Sequence, residues 1–214
     1  MTEAPVVNVA NLLTATRIVL IPVFAVLMVG SGMERPGWRI AACVAFFVAS
    51  VTDYVDGWIA RTWNLVTVFG KVADPIADKA LTGTALVLLS AYGHLSWWVT
   101  ILILVRELGV TALRLWVLRY GVIPASRGGK VKTALQVAAI TWYLLPLPER
   151  AAAVGPWLMA AAVLVTLLTG ADYVVRVLRL RRRALLSARA ATLAATTAPA
   201  TAVVPTSSAD EPVA

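Results

Sequence analysis

The sequence predicts an all-α, polytopic membrane protein, and three observations carry that reading. Hydrophobic residues make up 60 % of the chain and charged residues only 14 %, against the roughly 25 % charge usual in soluble domains; mean hydropathy is +0.81. The apolar stretches match the roughly 20 residues needed to cross a bilayer core. The connections between them are short, which makes neighbouring helices antiparallel.

Six such segments can be drawn along the 214 residues. The first covers residues 12–29 and stops at the turn-forming Gly30, Ser31 and Gly32. The second covers 38–62, and the third begins after Pro75 and ends near Gly93. The fourth covers 97–118, the fifth 131–145 and the sixth 157–178. The N-terminus lacks a basic region followed by an apolar core and a cleavage site, so the first span is expected to be retained. Residues 1–188 are read as one membrane domain. Residues 189–214, rich in Ala, Thr, Pro and Ser with no helical apolar face, are read as a disordered tail. The single cysteine, Cys43, lies in an apolar run and is expected to pack in the core.

Charge sets the expected orientation. Nineteen Lys and Arg stand against eleven Asp and Glu, a net charge of +8. Basic side chains beside membrane spans mark the cytoplasmic face and anionic headgroups, so no nucleic-acid partner is expected. Six spans bring both termini to one side, which would hold Arg17, Arg61, Lys71, Lys79, Arg114, Arg119, Arg127, Lys130, Lys132 and the arginines from Arg176 to Arg189. The other side would hold Arg35, Arg39 and Arg150. The termini are therefore expected to be cytoplasmic in a multi-pass protein of the cell membrane. Trp38, Trp97, Trp98 and Trp157 fall at the opposite ends of spans, as an aromatic belt would.

Within this apolar chain, residues 51–80 carry Asp53, Asp56, Asp74 and Asp78. On a helix, Gly57 and Ala60 lie within about 40° of Asp53, with Asp56 and Arg61 flanking them. Asp74 and Asp78 are one turn apart at the start of the third helix. A short linker, residues 62–71, folds the two helices back so that the four carboxylates can converge near the cytoplasmic boundary. Unpaired carboxylates there repel one another and resist desolvation. Pairing with Lys71, Lys79 or Arg61 would account for one acid better than for four. Oxygen-only ligands without His or Cys favour Mg²⁺, or Mn²⁺ in the same geometry, and two such ions can be held. Gly57 and Ala60 lack bulk, which lets a ligand lie on the backbone, and Arg61 offers a fork suited to phosphate.

Asp53, Asp56, Gly57, Ala60, Arg61, Gly70, Asp74 and Asp78, at these spacings, resemble the signature of the CDP-alcohol phosphotransferases at every fixed position. The resemblance implies six spans with the active site at the cytoplasmic membrane interface. It implies that Asp53, Asp56 and Asp74, helped by Asp78, hold two metal ions. By the same resemblance Gly57, Ala60, Arg61 and Gly70 cradle the CDP moiety, and Asp78 takes the proton from the acceptor hydroxyl. A homodimer is implied in the same way.

Three further groups narrow the acceptor: Asn11, Thr14, Arg17 and Pro22 in the first helix; Arg106, Glu107, Thr111 and Arg114 in the fourth; and Pro124 to Thr133 before the fifth. Together they are similar to the bacterial phosphatidylglycerophosphate synthases within that family, over about residues 11–143. The resemblance implies CDP-diacylglycerol and glycerol-3-phosphate as substrates, among membrane lipids. Arg127, Lys130 and Lys132, with Arg114 and Arg119, would build a basic pocket for the acceptor phosphate; individually they also fit positive-inside anchors. Inositol phosphate and phosphatidylglycerol stay open as acceptors, and a divalent-cation carrier stays open as another class, although carriers bind at the midplane. Arg106 and Glu107 are expected to pair across helices, Asp172 to pair locally with Arg176, and His94, the only histidine, to lie away from the aspartates.

Overall fold

Apolar residues spaced for helices, with Gly and Pro at the breaks, fold as a helical bundle. The computed structural model describes residues 9–62, 68–117 and 127–197. Among them stand α1 (Val9–Ser31), α2 (Pro36–Thr62), α3 (Val68–Ala91), α4 (Trp97–Val117), α5 (Arg127–Leu144), the single turn α6 (Glu149–Ala152) and α7 (Gly155–Thr197), with no strand. α1 packs along α2 and crosses α3, α7 packs on α5 and α4, and the α2–α5 and α3–α4 contacts join the two groups.

The core is a thin seam of small and medium side chains. On α1 the inward stripe is Thr14, Arg17, Phe24 and Met28, spaced by three, four and seven residues as one helix face requires. Phe24 meets Phe46 of α2 with ring centroids 5.6 Å apart. Ala42, Ala49, Ala85, Ala139 and Ala162 are fully buried; such small residues let membrane helices approach closely. Cys43 is buried as expected, 5 % exposed. The outer surface is apolar instead: Leu12, Val26 and Val105 are about two-thirds exposed, at 66 %, 66 % and 65 %. An apolar exterior of this extent suits lipid rather than water. Leu12–Ser31 and Glu149–Arg182 are long and apolar enough to cross a membrane.

Three boundaries differ from the sequence reading. α3 begins at Val68, and Pro75 lies inside it. A proline within a helix forgoes one donor, here to the Lys71 carbonyl, whereas a break in apolar surroundings strands several backbone groups. Asp74 and Asp78 therefore stand one to three turns into α3, not at its start. α5 begins at Arg127, so residues 127–130 form its first turn rather than a loop; two glycines weaken that turn by only about 1 kcal/mol each. α7 continues to Thr197, past the boundary at Arg189, because its Ala, Leu and Arg residues are strong helix formers.

Candidate functional site

The site is assembled by α1. Thr14 and Arg17 are one turn apart on its inward face, and both are buried, at 1 % and 0 % exposure. Arg17 Nη1 lies 2.5 Å from Asp53 Oδ1 of α2, and Thr14 Oγ1 donates to Asp74 Oδ1 of α3 at 2.6 Å. One helix thus pins a carboxylate from each of its two neighbours. A buried guanidinium needs such a counter-charge, since removing one partner of a buried pair strands the other. Neither Thr14 nor Arg17 stood among the site residues read from the sequence. The signal was present: an arginine on the inward face of a span requires an acid somewhere.

Asp53 experiences the negative charges of Asp78 and Asp74 and the positive charges of Arg17 and Lys79. Asp74 and Asp78 of α3 therefore both lie within electrostatic reach of Asp53 on α2. Asp56, Gly57, Ala60 and Arg61 lie on the last turns of α2 and Gly70 on the first turn of α3, but their side chains lie outside the described residues. Among the described residues no three His, Cys, Asp or Glu side chains gather closely enough to hold a metal ion. The donor chemistry of Asp53, Asp74 and Asp78 nevertheless fits a hard divalent cation. All three offer only carboxylate oxygens, and a carboxylate's two oxygens are not exhausted by one bond.

Beside Asp78 opens a cavity of about 260 Å³ between α3, α4 and α5. α3 presents Asp78, Lys79 and Thr82 to it, α4 presents Glu107, and α5 presents Lys132 and Gln136. The charges of Lys79, Lys132 and Glu107 all act on Asp78. Lys132 is buried, 9 % exposed, and its Nζ lies 2.5 Å from Glu107 Oε1. The same oxygen accepts from Arg106 Nη1 at 3.0 Å, and Arg106 Nη2 donates to Thr169 Oγ1 of α7 at 2.8 Å. A chain of polar contacts thus runs from α7 through α4 to α5. Arg106 and Glu107 do reach across helices, although they also pair with each other.

The expected basic pocket is rearranged. Lys130 and Lys132, two residues apart on a helix, point about 200° apart, and Lys130 is exposed. Arg114 is exposed and lies over the Tyr173 ring of α7, 6.0 Å from its centroid. Arg119 and the Arg127 side chain lie outside the described residues. Among the described residues, the cations lining the cavity are Lys132 and Lys79; the sequence reading placed Lys79 as a positive-inside residue and a candidate partner for one of the acids, not in the acceptor pocket. Asp172 forms the local pair with Arg176 at 2.8 Å. His94 lies in the α3–α4 turn, beyond Ala91 at the end of α3, which is itself about 20 Å along the helix axis from Asp78 at 1.5 Å per residue.

Residues 7–168 match the sequence model of the CDP-alcohol phosphatidyltransferases. The chain is 52 % identical over 179 residues to a protein of Mycobacterium tuberculosis (strain H37Rv) named probable phosphatidylglycerophosphate synthase, covering 83 % of this chain and 85 % of the relative. It is 41 % identical over 143 residues to the Escherichia coli (strain K12) CDP-diacylglycerol–glycerol-3-phosphate 3-phosphatidyltransferase, covering 64 % of this chain and 76 % of that one.

Proposed function

The chain belongs to the CDP-alcohol phosphatidyltransferase family, and we propose that it transfers a phosphatidyl group from CDP-diacylglycerol to glycerol-3-phosphate, releasing CMP. The observation that carries this reading is the cavity in which Asp78 shares a wall with Lys79 and Lys132. A carboxylate beside two cations suits an acceptor that brings both a hydroxyl and a phosphate. The names of the relatives point to the same acceptor.

In this mechanism Lys79 and Lys132 bind the acceptor phosphate, and Lys132 exchanges its contact with Glu107 to do so. Asp78 accepts the proton of the attacking hydroxyl. The bond between that oxygen and the lipid-bearing phosphorus forms as the bond to CMP breaks, so atoms and charge balance with one proton on Asp78. Asp53, Asp56, Asp74 and Asp78 would hold Mg²⁺ or Mn²⁺, two ions in all, which would neutralise charge developing on the pyrophosphate. Arg17 and Thr14 orient Asp53 and Asp74. Gly57, Ala60, Arg61 and Gly70 would receive the CDP moiety.

The proposed setting is a multi-pass protein of the cell membrane in which α1–α5 and α7 are six spans. The termini and the site face the cytoplasm, a placement supported by the lysines and arginines at the site end of the bundle. A membrane domain over residues 1–188, a tail from 189 whose first part continues α7 to Thr197, and a homodimer complete the proposal; the homodimer rests on the family resemblance alone.

An assay of the purified protein with CDP-diacylglycerol and labelled acceptors tests the function. CMP release that requires Mg²⁺ or Mn²⁺ and incorporation from glycerol-3-phosphate are expected. Incorporation only with inositol phosphate or phosphatidylglycerol would replace the acceptor. Metal flux without CMP release would favour a carrier.

A further inference from the structure

Gln136 is buried, 4 % exposed, and its side chain lines the cavity beside Asp78. Its Nε2 nitrogen has no hydrogen-bond partner among the described residues. Buried side-chain donors are met in the great majority of cases, and leaving one unmet is costly. A group of this kind facing a cavity points to a ligand that supplies the missing acceptor.

The position of Gln136 says what that ligand offers. It lies four residues after Lys132 on α5, on the same face and about 6 Å further along the axis. On α3, which also runs away from the site end, Thr82 stands in the same relation to Asp78, and both line the cavity. The cavity wall therefore has two layers: Asp78, Lys79, Glu107 and Lys132 carry charge, and beyond them Thr82 and Gln136 are polar and neutral. The charged layer provides for a reacting hydroxyl and a phosphate. A neutral amide both donates and accepts, which matches a hydroxyl that stays un-ionised.

We propose that Gln136 is a specificity-determining residue that hydrogen-bonds the non-reacting hydroxyl of a phosphorylated polyol acceptor held between Asp78 and Lys132. This rests on the acceptor reading above and extends it to a group that takes no part in the bond-making step. A site built to hydrogen-bond a hydroxyl discriminates against the analogue lacking it, because its own polar group is then stranded.

The test compares kcat/KM for glycerol-3-phosphate with that for 3-hydroxypropyl phosphate, which keeps the attacking hydroxyl and the phosphate but lacks the middle hydroxyl. The unaltered protein is expected to prefer glycerol-3-phosphate by about tenfold or more, the scale of one lost hydrogen bond with its partner left unmet. Gln136→Met, similar in length and apolar, is expected to remove most of that preference, with the loss confined to the hydroxyl-bearing acceptor. Gln136→Asn, which keeps the amide but draws it back, is expected to fall between. Equal loss on both acceptors in both variants, or an unchanged preference in Gln136→Met, would overturn the assignment. An unaltered protein that turns over neither compound would overturn the acceptor reading itself, and this inference with it.

Discussion

The two ends of the bundle hold their charged side chains in different ways. At the end away from the site, Arg39 of α2 spends its guanidinium on main-chain carbonyls. Nη2 donates to Tyr143 O at 3.1 Å and Leu145 O at 2.8 Å, Nε to Leu144 O at 3.2 Å, and Nη1 to Met33 O at 3.4 Å. These are the end carbonyls of α5 and one carbonyl of the α1–α2 turn, groups that a helix leaves unsatisfied and that attract positive charge. At the site end, Arg17 meets Asp53, Thr14 meets Asp74, and Lys132 meets Glu107. Every one of these partners is a side chain that titrates, rotates or can take another ligand.

The difference separates holding from working. Carbonyl partners at a helix end are fixed by the backbone and neither titrate nor swing away, so Arg39 locks α2 to α5. Packing at that end is also close: a Cβ on Gly30 would come within 2.8 Å of the Trp38 ring, and Ser90 and Thr100 share a buried hydrogen bond of 2.7 Å. Side-chain pairs can be exchanged, and the cavity lies where they are.

Substitutions that keep size but remove function should divide along the same line. The largest effect is expected from Asp78→Asn, which keeps the shape but cannot take a proton: CMP release should fall by about 10²–10⁴-fold while thermal stability in detergent is retained. Full turnover in that variant would refute the base assignment. Arg39→Met should do the reverse. Losing a charged donor to several carbonyls is expected to cost about 2–4 kcal/mol, seen as faster thermal inactivation, with kcat/KM at low temperature within about twofold of the unaltered value. A loss of kcat/KM comparable to that of Asp78→Asn would erase the distinction between the two ends. The smallest effect is expected from Asp172→Asn. Its pair with Arg176 is half-exposed on one helix face, so stability should change by less than about 0.5 kcal/mol and turnover not at all. A large loss of turnover there would mean that Asp172 belongs to the working end.

Much of this was legible in the chain itself. The helical class, the apolar helices and the grouping of Asp53, Asp74 and Asp78 follow from hydropathy and from carboxylate spacing, because several unpaired acids in so apolar a chain are too costly to be incidental. The Asp172–Arg176 pair and the burial of Cys43 are equally local. The acceptor pocket was harder to read. Arg114, Lys130 and Lys132 are close in composition and charge, yet only Lys132 reaches the cavity, because helix phase sends Lys130 outward and the Tyr173 ring holds Arg114 toward α7. Lys79, Glu107 and Gln136 join the cavity from three different helices, and no spacing along the chain records that meeting.

Sequence alone therefore determined the solvent, the helices and the acids at one end of them, since hydropathy and periodicity are properties of single segments. Tertiary structure decided which partner each acid takes, which cations face the cavity and where an unmet amide is left. Those outcomes depend on how far each helix is rotated against its neighbours, and rotation is set by the packing of small residues across the seam rather than by any one segment.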